Sequence, residues 1–290
     1  MEASSGGMDG KVALITGGTG GIGKAAATAL ASLGAGVVVV GRNAEKGEAA
    51  AAEIRETSGN DDVSLLLADL SVQAEVRRLA DEFRERHDRL DVLVNNAGLV
   101  LSERNETPDG IEAQFAINHL APFLLTNLLS DLLKKSAPSR VVTVSSEAQR
   151  WGKMDFDDLQ SKKRYRGFPV YGLTKLANVM FTFELAERLK GTGVTANCMH
   201  PGTVNTGFAQ NNRGPASLAF RLFKPFMRSP EQGADTLVYL AASPAVEGMT
   251  GKYVSDRKVT AASPIAYDET ARKLLWEESE RLTGFDRLAA

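Results

Sequence analysis

Val12-Ala13-Leu14-Ile15-Thr16-Gly17-Gly18-Thr19-Gly20-Gly21-Ile22-Gly23 is the stretch on which the fold turns. An apolar strand-like run leads directly into a glycine-rich turn, and a helix is expected from about Lys24. Glycines let the backbone turn tightly and approach a phosphate closely. The helix behind them offers free N–H groups and the positive end of its dipole. Strand, glycine turn and helix in this order are what a dinucleotide pyrophosphate site requires. Gly17, Thr19, Gly20, Gly21, Ile22 and Gly23 are therefore candidate phosphate contacts. Taken without that context, the glycines would equally suit a flexible turn.

Outward from this turn, apolar runs alternate with helical stretches. The strand candidates are Val12–Thr16, Gly36–Val40, Val63–Ala68, Val92–Val94, Arg140–Val144, Val194–Met199 and Lys252–Val254. They are continuously apolar, as parallel strands covered on both faces are. Between them, Val72, Val76, Leu79 and Phe83 recur at helical spacing, as do Leu173, Leu176, Ala177, Met180 and Phe183. The expectation is an α/β Rossmann fold: a doubly wound, seven-stranded parallel sheet with helices on both faces. No linker or repeat divides the chain, so a single domain over 10–290 is expected, with a frayed tail at 1–9. Two stretches break the alternation, Ser146 to Val170 and a lid-like segment at 204–229. Both follow expected strands, where ligand sites of open α/β sheets lie.

Composition removes other classes. The 290 residues carry 34 Lys and Arg against 36 Asp and Glu, a net charge of -2, so no basic excess favours nucleic acid. The one cysteine, Cys198, excludes an internal disulfide framework, and His87, His119 and His200 are scattered, so no metal site is expected. No run is long enough for a membrane helix, and the small, polar N-terminus does not look like a signal peptide. A cytoplasmic protein is the default expectation.

The second strand ends in Val40-Gly41-Arg42-Asn43. An acidic residue there would bind the ribose 2′-hydroxyl of NAD. Arg42 follows instead, with Lys46 four residues on, and a guanidinium can pair with a 2′-phosphate through two hydrogen bonds. NADP(H) is expected over NAD(H), with Arg42 and Asn43 at the adenosine end.

Further along come Asp69-Leu70, Asn95-Asn96-Ala97-Gly98, Asn118, Ser145-Ser146, Tyr171-Gly172-Leu173-Thr174-Lys175 and Pro201-Gly202. With the glycine turn, these pieces in this order resemble the short-chain dehydrogenase/reductase family over nearly the whole chain after Asp9. The 25-position gap between Ser146 and Tyr171, Lys175-Leu176-Ala177-Asn178 and His200-Pro201-Gly202-Thr203-Val204 resemble its retinol-dehydrogenase-like branch.

Tyr171 and Lys175 stand at i and i+4 and share a helix face. A free phenol is a poor proton donor or acceptor at neutral pH, and a neighbouring ammonium favours its ionised form, so Lys175 is expected to lower the Tyr171 pKa. The resemblance implies that Tyr171 is the general acid/base, that Lys175 also holds the nicotinamide ribose, that Ser146 binds the substrate oxygen, and that Asn118 holds a proton-relay water. It implies cofactor contacts at Asp69, Leu70, Asn95, Ala97, Gly98, Pro201, Gly202, Val204 and Thr206. Asn96 reads as a tie between strands, Ser145 as a neighbour of the functional serine, His200 as structural and Cys198 as a small buried hydrophobe.

The activity implied is NADP(H)-dependent interconversion of a carbonyl and an alcohol, in the direction of ketone or aldehyde reduction. The Phe- and Leu-rich segment 218–227 suggests a bulky, apolar small-molecule substrate. The resemblance further implies a homodimer or homotetramer formed through the helices holding Asn118 and Tyr171. Two other readings keep the fold: a cofactor-binding regulator without turnover, and an epimerase with no net redox change. The intact set Asn118, Ser146, Tyr171 and Lys175 argues against the regulator.

Overall fold

The computed structural model describes residues 7–204 and 227–285. Eight strands form one sheet: β1 (Val12–Thr16), β2 (Gly36–Gly41), β3 (Val63–Leu67), β4 (Val92–Asn95), β5 (Ser139–Val144), β6 (Val194–His200), β7 (Lys252–Ser255) and β8 (Lys258–Val259). Their order is β3-β2-β1-β4-β5-β6-β7-β8. The seven expected strands are all present and parallel. β8 is an addition to the expected seven and runs antiparallel to β7. It returns through a two-residue turn in which Asp256 and Arg257 both take positive φ, 50° and 59°. Such turns match the twist of a hairpin but usually carry Asn and Gly, so Asp-Arg gave no signal.

Side chains alternate across β1. Ala13 and Ile15 join a core with Ala27 and Leu30 of α1 (Gly21–Ser32), Ile54 of α2 (Ala44–Ser58) and Leu237 of α8 (Pro230–Ala242). Leu14 faces the other way, into a core with Phe83 of α3 (Gln73–Arg86), Phe123 and Leu124 of α5 (Ala121–Leu128) and Phe181 of α7 (Gly167–Arg188). Both faces are thus covered, which is why the strands are apolar throughout. The short α4 (Ala113–Phe115) passes through a π-helical turn (Ala116–Leu120) into α5, and α6 (Ser130–Lys135) leads towards β5.

The last helix, α9 (Glu269–Thr283), lies against α7 and the π-helical turn. Its Trp276 meets Phe123 at 4.9 Å and stacks on Phe181 at 5.8 Å, measured between ring centres. Nearly every residue of α7 from Val170 to Ala186 is buried. Trp276 thus packs between α5 and α7 within the same chain.

The tail expected over 1–9 is shorter at its described end. Met8 is buried in the α1 side of the core, and its N–H donates to Leu33 O at 3.0 Å. Residues 205–226, which contain Thr206 and most of the 204–229 segment, lie outside the described residues.

Candidate active site

The strand order reverses between β1 and β4, and the cleft beyond their carboxyl ends is where ligands bind in open α/β sheets. Thr16 ties the two sides together. Its Oγ1 donates to Val94 O at 3.2 Å and receives the N–H groups of Asn96 at 3.0 Å and Ala97 at 3.1 Å. The Asn96 amide donates to Thr16 O at 2.9 Å and Gly17 O at 3.2 Å, so Asn96 is the expected tie.

The glycine turn is built for close approach. Gly17 and Gly21 have positive φ, 64° and 52°. A Cβ on Gly23 would stand 2.3 Å from Gly17 O, and one on Gly18 would stand 2.8 Å from a Val39 methyl. Gly20 is the N-cap of α1, with no capping side chain and no acidic residue in the first turn. Nothing lies within 4 Å of where its Cβ would be. Open N–H groups at a helix start, reached through glycine, suit a phosphate. Thr19 packs against Gly41, whose Cβ would stand 2.6 Å from the Thr19 methyl.

Arg42 is exposed at the end of β2, with no ion partner among the described residues. Asn43 is already engaged: its Oδ1 receives Lys46 N–H at 2.9 Å and caps α2. Asp69 is exposed and receives Ser71 N–H at 2.9 Å, while Leu70 packs partly on the core. Asn95 departs from expectation. Its side chain is 2% exposed and donates to Thr126 Oγ1 on α5 at 2.9 Å. Successive strand residues point to opposite faces, so Asn96 faces the glycine turn while Asn95 is turned into the core. Only its backbone remains available for a ribose.

Across the cleft, Ser146 follows β5 and accepts Ala148 N–H at 3.2 Å. Ser145 is 1% exposed and donates to Lys175 O at 2.8 Å, so it braces α7 and Ser146 alone of the pair is open. On α7, Tyr171 is hydrogen-bonded to Ser146. Lys175 Nζ lies 5.6 Å from the Tyr171 ring centre and donates to Val144 O at 2.9 Å. Gly98 completes the group, because a Cβ there would stand 3.2 Å from Asn118 Oδ1 and 3.4 Å from Lys175 Nζ. The structure thus gathers Ser146, Tyr171, Lys175 and Asn118 at one end of the cleft.

Asn118 is wholly buried in the π-helical turn. Its Oδ1 receives Leu99 N–H at 2.8 Å, and its amide donates to Leu99 O at 2.9 Å and Thr174 Oγ1 at 3.0 Å. Thr174 donates in turn to Tyr171 O at 2.8 Å. Sequence reasoning passed over Thr174, although its i+3 spacing from Tyr171 was a signal.

The electrostatics differ from expectation. Burial pushes the Tyr171 phenol up to about 12, and the hydrogen bond with Ser146 offsets this only in part. Burial also lowers Lys175 to about 8. The expected depression of Tyr171 by Lys175 is not met: burial is the leading influence on both groups and shifts each towards its neutral form.

The far wall follows β6. His200 Nδ1 receives Glu147 N–H at 3.2 Å, a structural role as expected. Pro201 is half-buried, and Gly202 has φ 79° beneath the Arg228 side chain. Val204 and Ile22 converge on Gly233, where a Cβ would stand 2.6 Å and 3.2 Å from their side chains. Cys198 is fully buried, and burial pushes its thiol up to about 12, so it is inert.

The sequence profile of the short chain dehydrogenase family matches residues 11–216. Retinol dehydrogenase 12 of Homo sapiens is 45% identical over 278 residues, covering 96% of this chain and 87% of that protein. Retinol dehydrogenase 14 of Homo sapiens is 42% identical over 293 residues, with the same coverage. Among solved structures, the RhlG/NADP active-site complex of Pseudomonas aeruginosa superposes with a TM-score of 0.69 at 30% identity, covering 86% of this chain and 95% of that one. The chain belongs to the short-chain dehydrogenase/reductase family of nicotinamide-dependent oxidoreductases, in its retinol-dehydrogenase-like branch.

Proposed function

We propose that the protein is an NADP(H)-dependent reductase of apolar, bulky ketones or aldehydes, reversible towards the alcohol. The observation that carries this reading is the convergence of Ser146, Tyr171, Lys175 and Asn118 beside a glycine cradle that a Cβ would fill. The cradle and the open start of α1 suit a dinucleotide pyrophosphate, and exposed Arg42 suits a 2′-phosphate. When bound, the nicotinamide supplies the two-electron reduction.

The chain's own residues handle the oxygen and the proton. Ser146 Oγ donates to the substrate oxygen and stabilises charge that grows there. Tyr171, a neutral phenol across the physiological range, is ready to protonate that oxygen as it becomes an alcohol. Lys175, charged below about pH 8, steadies the phenolate that remains and holds the ribose. Both amide hydrogens of Asn118 are taken, so a relay water would donate to the free lone pair of its Oδ1.

The apolar character of the substrate rests on the mouth. Phe168 is 58% exposed and stands one helical turn before Tyr171 on α7. Trp151 is 73% exposed, next to Gly152, which packs on Gly172 of the same helix. A cytoplasmic location remains part of the proposal; no described helix is long and apolar enough to cross a membrane. The proposal includes a homodimer or homotetramer.

The test is consumption of NADPH and NADH with a panel of ketones, aldehydes and quinones. NADPH-dependent turnover of apolar carbonyls supports the proposal. NADPH binding with no turnover on any of them favours the regulator.

A further inference from the structure

Asn118 and His119 are neighbours in the π-helical turn and bond in different directions. Asn118 bonds Leu99 and Thr174 at the cleft. His119 reaches Ser279 of α9, 160 positions away, with Nε2 2.9 Å from Ser279 Oγ. Both side chains are wholly buried. The hydroxyl hydrogen of Ser279 goes to Leu275 O at 2.7 Å, so the oxygen must accept from the imidazole. His119 therefore carries its hydrogen on Nε2. Burial pushes it down to about 4, with Asn178 opposing, so the ring is neutral at working pH.

The surroundings of His119 are aromatic. Phe115 lies 5.1 Å and Phe181 6.2 Å from its ring centre. A phenyl ring would suit such a site for packing alone. A donor there leaves an expensive unpaired group unless its acceptor is fixed. The acceptor is fixed, because α9 is anchored along its length. Trp276 packs on Phe123 and Phe181, and near the end of the helix Leu282 O receives Gln73 Nε2 at 2.9 Å and Thr283 O receives Arg77 Nη2 at 2.9 Å.

A π-helical turn is a local departure from the regular ladder, often found at functional sites. Here it sets Asn118 against Thr174, which bonds the Tyr171 backbone. A displacement of about an ångström at a catalytic group can cost about a hundredfold in rate. We propose that Ser279, acting through His119, is a positioning residue: the C-terminal helix holds the π-helical turn so that Asn118 keeps its place between Leu99 and Thr174. The inference rests on the reading of Asn118 and Tyr171 given above.

The test compares Ser279→Ala, the double variant His119→Phe/Ser279→Ala, and Asn118→Ala with the unaltered chain. The readouts are Tm, kcat for carbonyl reduction and KM for NADPH. Ser279→Ala should lower Tm and cut kcat by about tenfold, with KM for NADPH within about twofold. The double variant replaces both buried polar partners by apolar groups, so it should regain Tm. Its kcat should stay low. A double variant that regains both Tm and kcat shows a purely structural pair and overturns the proposal. So does unchanged kcat in Ser279→Ala while Asn118→Ala is impaired. Full activity in Asn118→Ala would instead overturn the underlying reading of Asn118. If Ser279→Ala does not fold, the kcat of the double variant decides.

Discussion

Lys175 Nζ stands 5.6 Å from the centre of the Tyr171 ring while donating to Val144 O at 2.9 Å. The ammonium is held by the backbone at the end of β5, beside the phenol. Burial leaves the phenol protonated up to about 12 and allows the ammonium to lose its proton near 8. Reduction needs a protonated Tyr171, and oxidation needs it deprotonated. At saturating substrate, the reductive rate should hold steady through neutral pH and fall above about pH 8 as Lys175 loses its charge. The oxidative rate should rise with pH up to about 8, as the phenolate becomes more accessible, and level off above it as Lys175 loses its charge. Paired pH profiles in the two directions check this, and a reductive rate that climbs steadily above pH 8 would contradict it.

The glycine cradle should tolerate no Cβ at its centre. Gly23→Ala would place a methyl 2.3 Å from Gly17 O and 2.5 Å from Asn96 Nδ2. Neither is a flexible chain end: one is backbone and the other is tied to Thr16 O at 2.9 Å. We expect a stability loss of about 1–3 kcal/mol and weaker NADPH binding. Gly20→Ala meets nothing within 4 Å, so it serves as the comparison for folding. Urea unfolding and calorimetric NADPH titration of the two variants check the contrast.

Arg42 has no ion partner among the described residues, so its removal should leave stability within about 0.5 kcal/mol. Arg42→Ala should raise KM for NADPH by about tenfold while leaving KM for NADH nearly unchanged. An unaltered preference would move the cofactor choice elsewhere.

His119 links stability to pH. Its pKa is about 4 when folded and 6.5 in the unfolded reference, so the unfolded chain binds the extra proton between those values. Its contribution is fully present above about pH 6.5 and is lost as pH falls towards 4, by an amount of order 3 kcal/mol. Unfolding free energies at pH 7 and pH 4.5 should fall less steeply in His119→Phe/Ser279→Ala than in the unaltered chain.

Most of the sheet was legible because parallel strands must be apolar on both faces, and Val37 to Val40 shows it directly. Ser146, Tyr171, Lys175 and Asn118 were legible because their types and order carry a family resemblance. What was hidden depends on direction or distance. Asn95 and Asn96 look alike in sequence, but strand alternation buries one and aims the other at the glycine turn. Ser279 gives no local sign of meeting His119, since the contact exists only once α9 lies against α7 and the π-helical turn. The Tyr171 shift depends on how much water folding removes, which spacing does not report.

The most direct test is carbonyl reduction by Tyr171→Phe, with NADPH binding measured on the same sample. The account predicts unchanged NADPH affinity and a loss of kcat of about a hundredfold or more, because the proton donor to the substrate oxygen is gone. Retention of kcat by Tyr171→Phe, with NADPH still bound and consumed, would contradict it.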